Sequence, residues 1–287
     1  MATDQAPAGS GAGINWLVSY PKSGNTWMRM LLANYFGETE QAQDINRAGI
    51  LHGIAASREH FDRALGISSS DLSAAEVAGL RPHVHAHLAA QADRPIWIKV
   101  HDAQQAIGDD WLFPPRSSHA VVYLIRHPLD VAVSYAFHTG QSVAGTVDTM
   151  CRSDTVIAER SPHQLPQRLG SWSDHVASWV DQAGCPVCVI RYEDMLADPA
   201  GQLARAIACG RPGLRIDPLR IAHAVEQSRF DRLQAAEDAH GFRERSEKSP
   251  RFFRRGLANA WHEHLNADLE RRMRAVHHAM MSRFGYE

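Results

Sequence analysis

The sequence predicts an α/β fold: a single domain with a central parallel β-sheet flanked by helices. Short apolar runs, rich in β-branched and aromatic residues and each ending on or followed by a polar or charged residue, alternate with segments of helical periodicity. That alternation puts helices over both faces of a parallel sheet. The apolar material suffices for it, since 44% of the 287 residues are hydrophobic and 22% charged, the balance of a domain with one sizeable core.

Taken in order, residues 1–13 (MATDQAPAGSGAG) are small and polar, with neither a basic start nor an apolar centre, and read as a disordered tail rather than a signal peptide. Strands are predicted at Trp16–Ser19, Ile96–Val100, Val121–Ile125 and Val187–Arg191. Helices follow at Thr26–Phe36, Leu129–His138, Ser173–Gln182, Ala200–Ala208, Asp217–Gln227 and Ala267–Arg283, where apolar residues recur at helical spacing. Residues 38–95 mix alanine, histidine and charge, and predict short helices without a clear sheet partner. Residues 139–170, with Gly140, Gly145, Pro162 and Pro166, predict a loop or lid. Nothing demands a second domain, so 14–287 read as one.

Thirty Lys and Arg against 32 Asp and Glu give a formal charge of -2, which offers no global attraction to nucleic acid or an acidic membrane. Basic groups that matter are therefore expected to be local. Four cysteines are too few for a disulfide scaffold in a chain this size. Cys185-Pro-Val-Cys188 has the CxxC spacing of redox and zinc sites, but it runs straight into a strand and no second pair follows, which favours a structural pair. His83, His85 and His87 alternate without obvious carboxylate or cysteine co-ligands, which favours a solvated or partly packed segment over a metal site. No apolar run approaches the ~20 residues of a membrane span. A soluble, cytoplasmic protein is expected.

The first informative motif follows the first strand: Tyr20-Pro21-Lys22-Ser23-Gly24-Asn25-Thr26-Trp27. A helix that starts at the carboxyl end of a parallel strand presents unpaired N–H groups and the positive end of its dipole. Gly24 lets the loop approach an anion, Thr26 offers a cap and a hydroxyl donor, and Lys22 supplies a mobile charge. A nucleotide-kinase loop runs G-x-x-x-x-G-K-[ST], whereas here Lys22 precedes Gly24 and the first glycine is missing. Trp27 in the first helical turn either stacks on a purine or packs in the core. The second motif, Arg126-His127-Pro128 through Asp130 and Ser134, again sits at a strand end. Arg126 and Ser134 suit a second phosphate, while a plain Arg126–Asp130 ion pair is the simpler alternative.

Together these residues resemble the cytosolic-type sulfotransferases, which use 3′-phosphoadenosine 5′-phosphosulfate (PAPS), and the resemblance runs from Trp16 to about Trp261. It implies a P-loop-like sulfotransferase fold over 14–287. The first motif is similar to the family's 5′-phosphosulfate loop, with Asn25 where threonine is more usual. The second is similar to its 3′-phosphate motif, with His127 where asparagine is common. Arg191-Tyr192-Glu193-Asp194 resembles the strand end whose tyrosine reaches the adenine. Gln227 to Leu233 looks like a degenerate form of the segment beside the nucleoside, which implies roles for Ser228, Phe230 and Leu233. Phe253-Arg254-Arg255-Gly256 resembles the basic-glycine loop over the 3′-phosphate, with Arg255 where lysine is commoner.

The chemistry expected is sulfuryl transfer to a hydroxyl or amine of a small-molecule acceptor, leaving PAP. Charge grows on the bridging oxygen as the phosphate departs, and Lys22 is the cation for it. His101, in Ile96-Trp97-Ile98-Lys99-Val100-His101-Asp102, is the candidate general base, because a neutral imidazole accepts a proton near cellular pH. Its position just past a strand is where ligands gather in open α/β sheets. Lys99 falls on the same strand side as His101 and contacts the transferring group, as the resemblance implies. Ser134 serves the 3′-phosphate and the resting position of Lys22 on the same ground. No metal is expected. A P-loop kinase using ATP and Mg²⁺, and a catalytically idle nucleotide-binding module, are the alternatives. Specificity falls to 38–95 and 139–170. Trp111, Phe113, Phe137 and Trp172 either line an apolar acceptor pocket or pack in the core. A homodimer is left open.

Overall fold

The structure, a computed structural model, describes residues 13–38, 41–47 and 51–286; the expected N-terminal tail, apart from Gly13, lies outside them. In chain order it runs β1 (Ile14–Ser19), α1 (Asn25–Phe36), β2 (Leu51–Ile54), α2 (Arg58–Leu65), α3 (Ala74–Ala90), β3 (Ile96–Val100), β4 (Ala106–Ile107) and β5 (Asp110–Trp111). It continues with β6 (Ser118–Ile125), α4 (Pro128–Thr139), α5 (Val143–Cys151), β7 (Val156–Ile157), β8 (Gln167–Arg168), α6 (Trp172–Val180) and β9 (Val187–Arg191). Helices α7 (Tyr192–Ala197), α8 (Pro199–Gly210), α9 (Pro218–Gln227), α10 (Phe230–His240) and α11 (Ala267–Arg283) complete it.

The central sheet has the order β2-β3-β1-β6-β9, with every pairing parallel. Strand β1 is its middle, and all six of its residues are buried. Two-residue alternation divides them between two layers. Ile14, Trp16 and Val18 join Trp172, Val176 and Trp179 of α6 and Leu129, Val131 and Val133 of α4. Leu17 joins Leu31, Leu32 and Tyr35 of α1 and Leu203 and Ile207 of α8. Because β1 lies between β3 and β6, the loops that leave β1, β3 and β6 open at one edge of the sheet. Their junction positions the site.

Residues 38–95 do hold a sheet partner, contrary to the sequence expectation. Strand β2 pairs with β3 and forms the sheet edge. Helix α3 is long, carries a capping box of Ser73 and Glu76, and turns His85 inward while His83 and His87 stay exposed. His85 stacks on Phe113 with centroids 5.0 Å apart and shares a 2.8 Å bond with the Leu112 carbonyl, and burial pushes its pKa down to about 3. Among the described residues no group of three His, Cys, Asp or Glu side chains is placed to hold a metal. The expected lid at 139–170 contains α5 and the small β7–β8 pair, and Gln164 bridges back to Ser57 beside β2. All four cysteines are free thiols. No helix of the described residues is long and apolar enough to cross a membrane.

One buried ion pair fixes the residue after His101. Arg81 of α3 donates to both carboxylate oxygens of Asp102 at 2.8 Å, with the two side chains 5% and 1% exposed. Trp179 of α6 donates to the Asp102 carbonyl at 2.8 Å. Replacing Arg81 by Met strands the carboxylate in the core and is expected to cost about 3–5 kcal/mol in urea unfolding. Arg81→Met with Asp102→Leu is expected to recover most of that loss.

Candidate active site

A cleft of about 500 Å³ opens where β1, β3 and β6 end. Its first wall is the turn from β1 into α1. Gly24 is the N-cap of α1 in the left-handed region (φ 100°), and no side chain caps the helix, so its first N–H groups are available to an anion. A Cβ at Gly24 would lie 2.8 Å from the Tyr192 ring, so glycine is required by conformation and by space. Lys22 also has a positive φ, 69°, which is uncommon for a residue with a side chain. Its carbonyl accepts from Arg126 at 3.1 Å, a bond that holds this strained turn and ties the two sequence motifs together. Asn25 donates to the Leu17 carbonyl at 3.0 Å and to Ser19 Oγ at 3.3 Å, pinning the turn to β1.

The second wall is the turn from β6 into α4. Arg126 also donates to the Leu257 carbonyl at 3.0 Å, lies 4.4 Å from the Tyr192 ring centre, and keeps a buried Nε without a partner. His127 caps α4, its Nδ1 accepting from the Leu129 N–H at 3.2 Å; burial lowers its pKa to about 4, so Nδ1 stays unprotonated and able to accept. Asp130 is not paired with Arg126. It accepts from the backbone N–H groups of Asn259 at 2.7 Å and Trp261 at 3.1 Å, and so fastens the 254–261 loop over the start of α4. Glu193 accepts from the His127 N–H at 3.0 Å and from the Tyr286 hydroxyl at 2.9 Å. Gly256 turns this loop at φ 63°, where a Cβ would meet Phe230 at 2.5 Å.

The third wall is the end of β3. The His101 Nδ1 lies 2.8 Å from the Ser19 carbonyl, which can only accept, so Nδ1 carries the hydrogen and Nε2 keeps its lone pair. Burial, with the Lys99 charge, holds the His101 pKa well below its ordinary value and keeps the ring neutral. Behind it, His175 Nε2 donates to the His101 carbonyl at 2.9 Å and receives the Tyr123 hydroxyl on Nδ1 at 2.8 Å, which fixes the backbone from which His101 projects. Lys99 donates to Glu244 at 3.0 Å. Lys22 Nζ sits 3.6 Å above the Phe252 ring centre, and burial, then the neighbouring Arg126 and Lys99 charges, lower its pKa to about 7. Among the described residues no hydrogen bond joins Lys22 to Ser134.

The cleft brings together Lys22, Gly24, Asn25, Thr26, Trp27, Lys99, His101, Arg126, Ser134, Tyr192, Phe230, Leu233, Arg254, Arg255 and Gly256. Two expected cofactor contacts do not line it. The Ser23 hydroxyl is buried without a partner, and Ser228 accepts from Asn34 through its hydroxyl and from Trp27 through its carbonyl. The four aromatic residues weighed for the acceptor are elsewhere too. Phe113 and Trp172 are core residues, Trp111 lies on β5, and Phe137 packs under Arg254 at 4.0 Å. Ile54, Tyr135, His138, Ile157, Gln164 and Gln167 also line the cleft. His138 and Glu244, which line the cleft, and Arg29, which pairs with Glu244, were not singled out from sequence, since their partners lie far along the chain. His138 lies one helical turn beyond Ser134, the one local signal that offered it.

Residues 15–285 match the sulfotransferase domain family. The mouse sulfotransferase SULT7A1 complexed with PAP has the same fold, at TM-score 0.60 and 17% identity over 94% of this chain and 84% of that one. Retinol dehydratase in a complex with retinol and PAP superimposes at 0.59 and 18% identity over 93% and 81%. Retinol dehydratase with androsterone and inactive cofactor PAP gives 0.58 and 16% over 93% and 80%. The search of curated proteins gave no match. The chain belongs to the sulfotransferase domain family.

Gly24→Ala adds strain at a positive φ to the clash with Tyr192. It is expected to lower stability by about 1–3 kcal/mol in chemical denaturation and to displace the Tyr192 ring in a crystal structure of the variant.

Proposed function

We propose that the protein moves the sulfuryl group of PAPS to a hydroxyl or amine of a small-molecule acceptor, with His101 as general base. The observation that carries this reading is the His101 ring itself: neutral, with Nδ1–H held by the Ser19 carbonyl and Nε2 open beside Lys99 and Lys22. An acceptor hydroxyl beside Nε2 transfers its proton there as its oxygen attacks sulfur. Lys22, freed from Phe252, neutralises the bridging oxygen as the phosphate leaves, and Lys99 meets the sulfuryl oxygens. Arg126, Ser134 and the 254–256 loop suit the 3′-phosphate, and Trp27, Tyr192, Phe230 and Leu233 suit the adenosine. The lining side chains Ile54, Ile157, Gln164, Gln167 and His138, part aliphatic and part amide and imidazole, suit the acceptor. Free cysteines throughout accord with a cytoplasmic setting.

The test is a mass-spectrometric screen with PAPS and a mixed library of phenols, steroid alcohols, sugars and amines, scoring the added sulfonate mass. His101→Ala is expected to lower transfer by about 10²–10⁴-fold while PAP affinity by calorimetry stays as in the parent. Equal loss of both removes His101 from the role of base. PAP protection against heat without Mg²⁺ supports the reading; Mg²⁺-dependent protection by ATP alone would favour a kinase.

The Lys22 environment adds a pH dependence. Its amine titrates at about 7 in the cofactor-free protein, and a bound phosphate raises that value, so PAP binding takes up a proton. The dissociation constant for PAP is expected to be level below pH 7 and then to rise by up to about tenfold per pH unit. Calorimetry in buffers of different ionisation heat measures the uptake directly.

A further inference from the structure

Lys99 is nearly enclosed, with its side chain 11% exposed, and cations and imidazoles face it from every neighbouring element. Lys22 faces it from the first turn, Arg29 from α1, His101 from the end of its own strand and His138 from α4. Against these stands one carboxylate, Glu244, from the segment after α10. Its Oε2 accepts from Lys99 Nζ at 3.0 Å, and Arg29 grips it through two nitrogens at 2.6 and 2.7 Å. Arg29 also donates to Thr26 Oγ1 at 2.9 Å, so the triad reaches back into the anion-binding turn.

We propose that Glu244 is a positioning residue for sulfuryl transfer, holding the Lys99 ammonium at the transferring group through an Arg29–Glu244–Lys99 ion triad. The proposal rests on the reading of the cleft given above. Two arguments carry it. An ammonium removed from water beside other cations keeps its proton and its place only where an anion meets it, and Glu244 is the only side chain among the described residues that accepts a hydrogen bond from Lys99. Burial lowers the Lys99 pKa, and Glu244 opposes it through both its charge and its hydrogen bond. Conversely, burial pushes the Glu244 carboxyl up, but Lys99 and Arg29 outweigh it and hold it below the usual carboxylate range, so the acid is ionised at working pH.

The second argument is that the segment carrying Glu244 has other anchors. Asn46 bonds the Gly241 carbonyl and the Arg243 N–H at 3.1 and 2.8 Å. Glu237 accepts the N–H groups of Phe252 and Phe253 at 2.7 and 2.9 Å. Phe242 packs on both rings, with centroids 4.7 and 5.5 Å away. A carboxylate with no share in that scaffold, spanning a lysine on β3 and an arginine on α1, has its effect on the lysine.

The chain contains three lysines, Lys22, Lys99 and Lys248, so lysine-selective NMR gives three side-chain resonances that single Lys→Arg variants assign. The full-length parent, Glu244→Gln and Glu244→Asp are compared by this titration, by turnover of PAPS with 2-naphthol against pH, and by PAP affinity. Glu244→Gln is expected to lower kcat by on the order of 10²-fold. It should also move the alkaline limb of the pH profile to lower pH, because the amine loses its anion, and leave PAP affinity as in the parent. Lys99 should titrate at lower pH in Glu244→Gln, and Glu244→Asp should restore part of both effects. A parent-like Lys99 titration in Glu244→Gln overturns the proposal, whether or not the rate falls, since the acid would then be only a scaffold. The NMR measurement needs no turnover. Absence of sulfuryl transfer or PAP binding in the parent would count against the functional reading, while the Lys99 titration still decides the triad.

Discussion

The structure is organised around one electrostatic constraint, the convergence of cations on a cleft at the sheet edge. Lys22, Lys99, Arg126, Arg243, Arg254 and Arg255 line it against two carboxylates, Asp130 and Glu244. Asp130 is occupied by backbone N–H groups. The excess positive charge arises in a chain whose formal total is -2, so it is a matter of placement, not composition. Mutual repulsion at this density is unfavourable until an anion of high charge enters, and a bisphosphorylated nucleotide is such an anion. The parallel sheet makes the convergence possible, because β1, β3 and β6 all end on one side and two of the turns open into helix N-termini.

Several of these cations have partners within the protein. Lys22 is placed over an aromatic face, Arg126 over another and against two carbonyls, and Lys99 on Glu244. The contacts of Lys22 and Arg126 are with neutral groups, weaker partners for a cation than a phosphate, whereas Lys99 has a carboxylate partner. A permanent buried ion pair has a different character, as Arg81 and Asp102 show: both charges are satisfied bidentately and neither faces the cleft.

Much of this was legible in the sequence, for physical reasons. Strands β1, β3, β6 and β9 carry continuous apolar runs because both faces of a parallel sheet are covered, and the two anion turns carry residue types that few other environments favour. Strand β2 was not legible. Leu51-His52-Gly53-Ile54 is a one-sided edge with a glycine at φ 79°, so neither pattern nor propensity marks it. The His83, His85, His87 row looked like alternation, but a helix places those positions on different faces, and only His85 enters the core. Glu244 was invisible for a further reason. It stands in an arginine-rich stretch where any acid reads as a solvated charge, and its partners are 145 and 215 residues away.

The clamp between Asp130 and the backbone of residues 259–261 bears on how the molecule is made. Strand β1 leaves the ribosome first, yet its partner β6 follows about a hundred residues later, and the cover that Asp130 secures is synthesised 129 residues after Asp130 itself. Contacts of such long range form slowly. The turn after β1 is synthesised long before the loop that covers the cleft. The cover of the cleft is thus among the last parts of the fold that can close during synthesis.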